Sequence, residues 1–563
     1  MKSAFRKALL LAALPLALPA CVKTNSELGK DLIDLTLLYD TYTVEFPIEE
    51  IDLRRADDLS GFSDTRITIG AIRDETFGLT TRASAFSLVP AVDTLDLGTN
   101  PEFVKFKFHV AADTISAAHH GQEHIFQNMY VYALTDTLDS KKSGTNRDIP
   151  HGTEIVTRGI PVYNGKDSLS FEFSPEYGQK YVDILKKIGP VLIDRSEDGT
   201  INRYRDYIMA VPGIYIETDA PQGLGGRINL FELSILSVSN NYYYRNNNVG
   251  TLTVRSTYNG VRKDTSFLFI PGEPTLYNEA EYLENNQKFY QYAFNRTSHE
   301  APEGKAADHV YIEGGGGLKP VFPAAPLRDR IVQAISERGG DPAKTVINKA
   351  SLILPYQLPE DVDDVDLFPS MLSPTIRNTD KEGIVSFGGL TDASATSENQ
   401  GALDRANLWY APDITYHLQE ILLRDDLEID DNADVWLLTV HSETTANANG
   451  NAEQEAYYQQ MMYAMYYNNL YGGGYGYGGY GGYSSYGYGG YGGYGGYSNY
   501  YNYYLMAQMY ASMNQTTYST TQELDKDRFY RAILNGPNAT ATDRYTGKKR
   551  VPTFRVTFSI PKG

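Results

Sequence analysis

A single cysteine, Cys21, occurs in 563 residues. Internal disulfides are therefore excluded, and once that residue is modified no thiolate remains for a metal site. No apolar run beyond the N-terminus approaches the roughly 18 residues that a membrane-crossing helix needs. Positive charge is scarce as well: 50 Lys and Arg stand against 70 Asp and Glu, a formal net charge of −20. That balance repels nucleic acid and anionic membrane surfaces, so neither is expected as an electrostatic partner. The chain also lacks a P-loop, a dinucleotide fingerprint and a nucleophile elbow. Gly223-Leu-Gly-Gly-Arg227 has the glycines of a phosphate cradle but no helix after them. The expectation is a protein that is not an enzyme and holds no cofactor.

What the chain does carry begins at its N-terminus. Lys2, Arg6 and Lys7 precede an apolar stretch from Ala8 to Leu18, and Pro19-Ala20 leads into Cys21. A charged region, an apolar region and small residues before a cut make residues 1–20 a signal peptide. The junction resembles a lipobox, which implies acyl chains such as palmitate on Cys21 and a lipidated tether over 21–36. Two or more acyl chains suffice for stable anchoring, so the expected membrane contact is the lipid itself. Loss of residues 1–20 takes the net charge from −20 to about −23. Val22 is not a retention aspartate, which favours the outer membrane. The facing leaflet stays open, with surface display preferred.

From Tyr39 onward the pattern is strand-like. Tyr42–Ile48, Arg66–Gly70, Phe103–Val110, Asn128–Leu134, Ser168–Phe173, Gly213–Thr218 and Gly250–Tyr258 alternate apolar and polar residues. These runs are short, rich in β-branched and aromatic residues, and parted by Gly, Asp, Asn and Pro. Pro175–Lys187 is the exception, with Tyr181, Ile184 and Leu185 at helical spacing. After a connector over 275–294, strands resume near His309, Lys349, Ile384, Val435 and Thr553, with one helix from Leu327 to Glu337. The predicted fold is mainly β: two antiparallel β-sandwich, jelly-roll-like domains, 37–270 and 271–563, with few short helices.

The second domain is interrupted by a low-complexity segment over 446–522. Not one charged residue lies between Ala456 and Gln522, where 21 tyrosines fall, and 15 glycines crowd into 471–497. Such a composition cannot bury a conventional core, so disorder is expected there. Two readings stand. The segment is a tolerated loop insertion, or it is an adhesive surface whose rings, Tyr480 and Tyr491 among them, contact glycans or proteins.

Several runs together resemble a lipoprotein family of Bacteroidota catalogued as domain of unknown function 4270. They are Gly70-Ala-Ile-Arg-Asp-Glu75 followed by Phe77-Gly-Leu-Thr-Thr-Arg82, then Val310-Tyr-Ile-Glu-Gly-Gly-Gly-Gly-Leu-Lys-Pro320, Ile347-Asn-Lys-Ala-Ser-Leu-Ile-Leu-Pro355 and Arg531-Ala-Ile-Leu-Asn-Gly536. The resemblance implies a β-rich cell-envelope lipoprotein attached to the outer membrane, and it supplies no functional residues. The glycine run, Leu-Lys and the later Ile-Asn-Lys-Ala order is also similar to that of certain jelly-roll carbohydrate-binding modules. Gly314, Gly315, Gly316, Gly317 and Lys319 are accordingly a candidate ligand edge, or else a sharp bend between strands.

Metal chemistry has one candidate motif. His120, Glu123 and His124 form His-x-x-Glu-His, which binds zinc only when a helix brings both histidines to one face. Gly121 and the strand-like run after Ile125 place it in a loop instead. Asp361–Asp366, Glu428–Asp434 and Asp194–Asp198 offer carboxylates at short spacing, as calcium requires, but without the offsets of an EF-hand. The expected function is non-enzymatic binding, adhesion or envelope organisation at the outer membrane. Glycan capture is the alternative, with a glycan or an envelope protein as partner, and a zinc hydrolase comes third.

Overall fold

The computed structural model describes residues 39–562 except 64–65, 91–93, 114–116, 120, 140–141, 167, 191–201, 234, 239–240, 245–248, 273–292, 361, 382, 393–400, 425–430 and 448–516. Its principal elements begin with β1 (Tyr39–Pro47) and β2 (Asp52–Arg55). Next come β3 (Arg66–Asp74), β4 (Gly78–Pro90), β5 (Thr99–Ala111), β6 (Gln127–Leu134) and β7 (Ser168–Glu172). Helices α1 (Pro175–Ile188) and α2 (Asn202–Ala210) lead to β8 (Ile214–Thr218), β9 (Gly225–Glu232), β10 (Val249–Tyr258), β11 (Val261–Gly272) and β12 (Ala293–His299). Then follow β13 (His309–Glu313), β14 (Leu318–Phe322), α3 (Ala324–Ser336), β15 (Val346–Pro355), β16 (Leu372–Thr379) and α4 (Thr415–Leu422). The chain closes with β17 (Val435–Asn447), β18 (Thr517–Leu524), β19 (Arg531–Asn535) and β20 (Thr553–Pro561). The protein is mainly β, with antiparallel sheets laid across two large hydrophobic cores and three smaller clusters among the described residues.

The long strand β4 organises the first core by serving two layers. Its first half pairs with β3 and β12, and its second half with β8 and β11. Beyond these, β9 joins β3, β6 joins β8, and β10, β5 and β7 extend the other side. Period-two alternation turns Ile67 and Ile69 of β3 toward Phe106 and Phe108 of β5, Met129 and Val131 of β6, and Ile214 and Ile216 of β8. Helix α1 seats Tyr177, Tyr181, Val182 and Leu185 on this core. It starts where the Ser174 hydroxyl accepts the Tyr177 N–H at 3.2 Å, with Pro at the first turn and Lys186 and Lys187 in the last.

The second core draws on both chain ends. β1 pairs with β20 along its length, Tyr39 opposite Pro561 and Pro47 opposite Thr553, and β20 pairs in turn with β15. β2 pairs with β14, which continues to β17 and β16. Helices α3 and α4 cover the core with Leu327, Ile331 and Ile335 and with Leu418, Ile421 and Leu422.

The expected division at 270/271 is therefore corrected. Residues 39–55 belong to the second core's sheets, and 293–299 pair within the first, so the chain crosses between the cores more than once. Local alternation finds a strand but not its partner, and here the partners lie hundreds of residues away. The low-complexity segment also starts later than its composition suggests. β17 and β18 form an antiparallel ladder from Val440–Leu524 to Asn447–Thr517, so 446–447 and 517–522 are strand. Residues 448–516 connect the two paired ends of that hairpin and lie outside the described residues, Tyr480 and Tyr491 with them.

Candidate functional site

The glycine run does not form an open cradle. Gly314–Gly317 are buried between the two cores, and Lys319 is fully buried behind them. The Gly314 N–H donates to the Tyr530 carbonyl at 2.9 Å, and the Ala56 N–H donates to the Gly317 carbonyl at 3.3 Å. A Cβ on Gly314 would lie 2.5 Å from the Arg528 carbonyl oxygen and 2.7 Å from the Tyr530 nitrogen. Gly315, at φ +58°, faces Arg82, a place and conformation that favour glycine. The turn is thus a close-packed joint, which corrects the expectation of a ligand edge at Gly314–Lys319: its backbone contacts protein.

Charged side chains fix that joint. The Lys319 ammonium donates to the carbonyls of Gly315 at 2.9 Å, Gly317 at 3.0 Å and Glu313. The Glu313 carboxylate meets His299 Nδ1 at 3.2 Å and accepts the Leu318 N–H at 3.3 Å, and the Glu313 and His299 side chains are each only 2% exposed. Arg82 of β4 reaches across to donate to the carbonyls of Asp527 at 2.8 Å and of Lys526 and Arg528 at 3.3 Å. Asp527 accepts from Ser63 at 2.6 Å and Asn295 at 3.0 Å, while Arg531 pairs with Asp74 and donates to Thr80 at 2.9 Å. Burial pushes the Glu313 carboxyl up, but His299, the Leu318 N–H and Lys319 together hold it below its ordinary value. Burial lowers the Lys319 ammonium to about 7, against the pull of Glu313.

A pH dependence follows. Between about pH 7 and lysine's ordinary pKa of roughly 10.4, the unfolded chain binds a proton that folded Lys319 has released, so stability rises with pH. Above about pH 10 the sign reverses, because burial keeps Tyr177 and Tyr181 protonated in the fold while unfolded tyrosines ionise. Urea midpoints measured across this range should pass through a maximum near pH 10, and Lys319→Met should flatten the rising limb.

The remaining sequence candidates scatter. Cys21 lies outside the described residues, as do His120, Asp194–Asp198, Asp361 and Glu428–Asp430. Glu123 and His124 sit in the loop before β6, where Glu123 accepts the Gly121 N–H at 3.1 Å, so neither stands on a helix. Asp366 pairs with Arg405 at 3.2 Å. Asp434 caps α3 by accepting the Ala324 N–H at 3.0 Å. Among the described residues no three His, Asp or Glu side chains group closely enough to hold a metal ion.

A different surface gathers recognition chemistry that the sequence left dispersed. Met129, Val131, Ile214 and Ile216 face the first core, so Asn128, Tyr130 and Tyr132 of β6 and Tyr215 and Glu217 of β8 stand on the opposite face. The register sets Tyr132 beside Tyr215 and Tyr130 beside Glu217. Asp219, just beyond β8, accepts the Tyr130 hydroxyl at 2.9 Å and the Asn128 amide at 3.1 Å. Tyr215 donates to Glu217 at 3.1 Å, and the His151 ring lies 4.4 Å from Tyr215 and 5.1 Å from Tyr132 between centroids. The hydrogen bond to Asp219 holds the Tyr130 phenol protonated above its ordinary range, and burial pushes the His151 imidazole toward its neutral form. Phe126, immediately before β6, is 77% exposed, and Val162, opposite Asn128, is 55% exposed. Half-buried Asn128, Tyr130 and Glu217 and exposed Asp219 and Phe126 thus share one strip, while Tyr215 is buried beneath it with Phe62 and Phe294, and Tyr132 packs against that cluster. The chain matches no protein-family model, no curated protein and no solved structure.

Proposed function

We propose that this protein is a non-enzymatic binding lipoprotein of the cell envelope, anchored in the outer membrane through Cys21, and that its ligand is a glycan. One observation carries the ligand class: the Asn128–Tyr130–Asp219 hydrogen-bonded set beside exposed Phe126 on the β6–β8 face. Sugars present apolar C–H faces and hydroxyl edges together. Aromatic rings accept the first at low entropic cost, while fixed carboxylate and amide groups pair with the second. Since Asp219 already holds its neighbours in place, little side-chain ordering is left for binding. The anchor rests on the N-terminal pattern ending in Cys21, and the acidic net charge leaves lipid as the means of attachment.

A glycan array probed with the mature chain tests the reading. Binding to a restricted set of glycans is expected, with the bound glycans recovered uncleaved. No binding across plant, host and microbial glycans overturns the ligand class, and release of new reducing ends overturns the non-enzymatic assignment.

A further inference from the structure

Residues 541–550 form an exposed loop unlike the rest of this acidic molecule. Arg544, Lys548, Lys549 and Arg550 against Asp543 give the ten residues a charge of +3, in a chain whose total is −20. At the tip stands Tyr545, 91% exposed, the most exposed large apolar side chain among the described residues. Arg544, Lys548 and Lys549 are exposed beside it.

This loop is nevertheless closely tied. Thr542 and Lys549 bridge its stem, and the Arg550 N–H donates to the Ala541 carbonyl at 2.8 Å. Asp543 Oδ1 accepts the N–H groups of Tyr545 at 3.0 Å and Thr546 at 2.7 Å, and the Thr546 hydroxyl at 2.8 Å. The Asp543 N–H donates to the Lys548 carbonyl at 2.7 Å. Below, Arg550 clamps the stem to the neighbouring turn through the carbonyls of Asn407 and Leu408, both at 2.8 Å. A fold that needed only a connection between β19 and β20 would not need an exposed ring and three free-standing cations on a braced tip. Bracing of this kind lowers the ordering cost of a contact.

We infer that the 541–550 loop is a second recognition element, distinct from the β6–β8 face, and that it binds an anionic polysaccharide bearing carboxylates. Cations around an aromatic ring suit a polymer with alternating carboxylates and sugar faces, Arg544 pairing in two-pronged fashion and Tyr545 stacking. The acidic remainder of the chain confines such a polymer to this loop. The acidic remainder of the chain is repelled by an anionic membrane surface, which favours a polymer over the protein's own membrane.

The test uses the mature chain with three probes: immobilised alginate as polyuronate, neutral dextran, and vesicles of anionic phospholipid. Alginate should bind and weaken steeply with added salt, while dextran should not. The Arg544→Ser/Lys548→Ser/Lys549→Ser variant should lose alginate affinity by roughly tenfold or more, and Tyr545→Ala by several-fold, with melting unchanged because these side chains are exposed. Asp219→Asn should leave alginate binding intact. The inference is overturned if alginate fails to bind, if the triple variant binds as the parent does, or if vesicles bind and alginate does not. Loss on Asp219→Asn with retention in the triple variant would move the contact to the β6–β8 face and end the case for the loop.

Discussion

Lys319→Met should destabilise the folded protein by roughly 2–4 kcal/mol, as when buried carbonyls lose their donor. The length of the side chain is kept, but the carbonyls of Glu313 and Gly315 lose their Lys319 donor, while the Gly317 carbonyl keeps the Ala56 N–H. Each buried carbonyl left without a donor costs on the order of 1–3 kcal/mol, and release from desolvating an ammonium offsets only part of that sum. Gly314→Ala should cost about 3 kcal/mol or more by a separate route. Its methyl would meet backbone atoms of Arg528 and Tyr530, which cannot move as the end of a flexible side chain can. Both effects would appear as a lower urea midpoint in equilibrium unfolding followed by tryptophan fluorescence. If the glycine turn were a ligand edge, the same variants would fold as the parent does and lose only binding.

The second large effect concerns location. Cys21→Ala should shift the protein from the membrane fraction to the soluble fraction, by about two orders of magnitude in partition, because a two-chain lipid anchor is the only attachment proposed. The variant should keep the parent's melting temperature, since β1 begins at Tyr39 and the described contacts all lie beyond it. Fractionation before and after a high-salt wash separates the cases. Membrane association of Cys21→Ala that survives the wash would refute the anchor.

Much of the local structure was legible. Alternation in Phe103–Val110 and Asn128–Leu134 marked β5 and β6, and Tyr181, Ile184 and Leu185 marked α1. Partners were not legible, because pairing is a property of the whole chain. Nothing in Tyr42–Pro47 announces that it will lie on Thr553–Phe558, more than 500 residues later. The glycine run showed that backbone would pass close to something, yet not that Arg82 and residues 526–530 would be what it meets. The β6–β8 face escaped notice for a related reason. Asp219 is one of 70 acidic residues, and only the pairing of β6 with β8 brings it to Tyr130 and Asn128. The His-x-x-Glu-His pattern misleads in the opposite sense: its spacing carries meaning on a helix, and Glu123 and His124 lie in a loop.

The central claim is that the β6–β8 face, and not the Gly/Tyr-rich segment, makes the glycan contact. Equilibrium binding of the strongest glycan from the array, measured on the parent, Asp219→Asn, Phe126→Ala and a deletion of 448–516, tests it most directly. Asp219→Asn and Phe126→Ala should each weaken binding by roughly tenfold or more, and the deletion should bind as the parent does. Full affinity in both face variants, with binding lost in the deletion, would contradict the account.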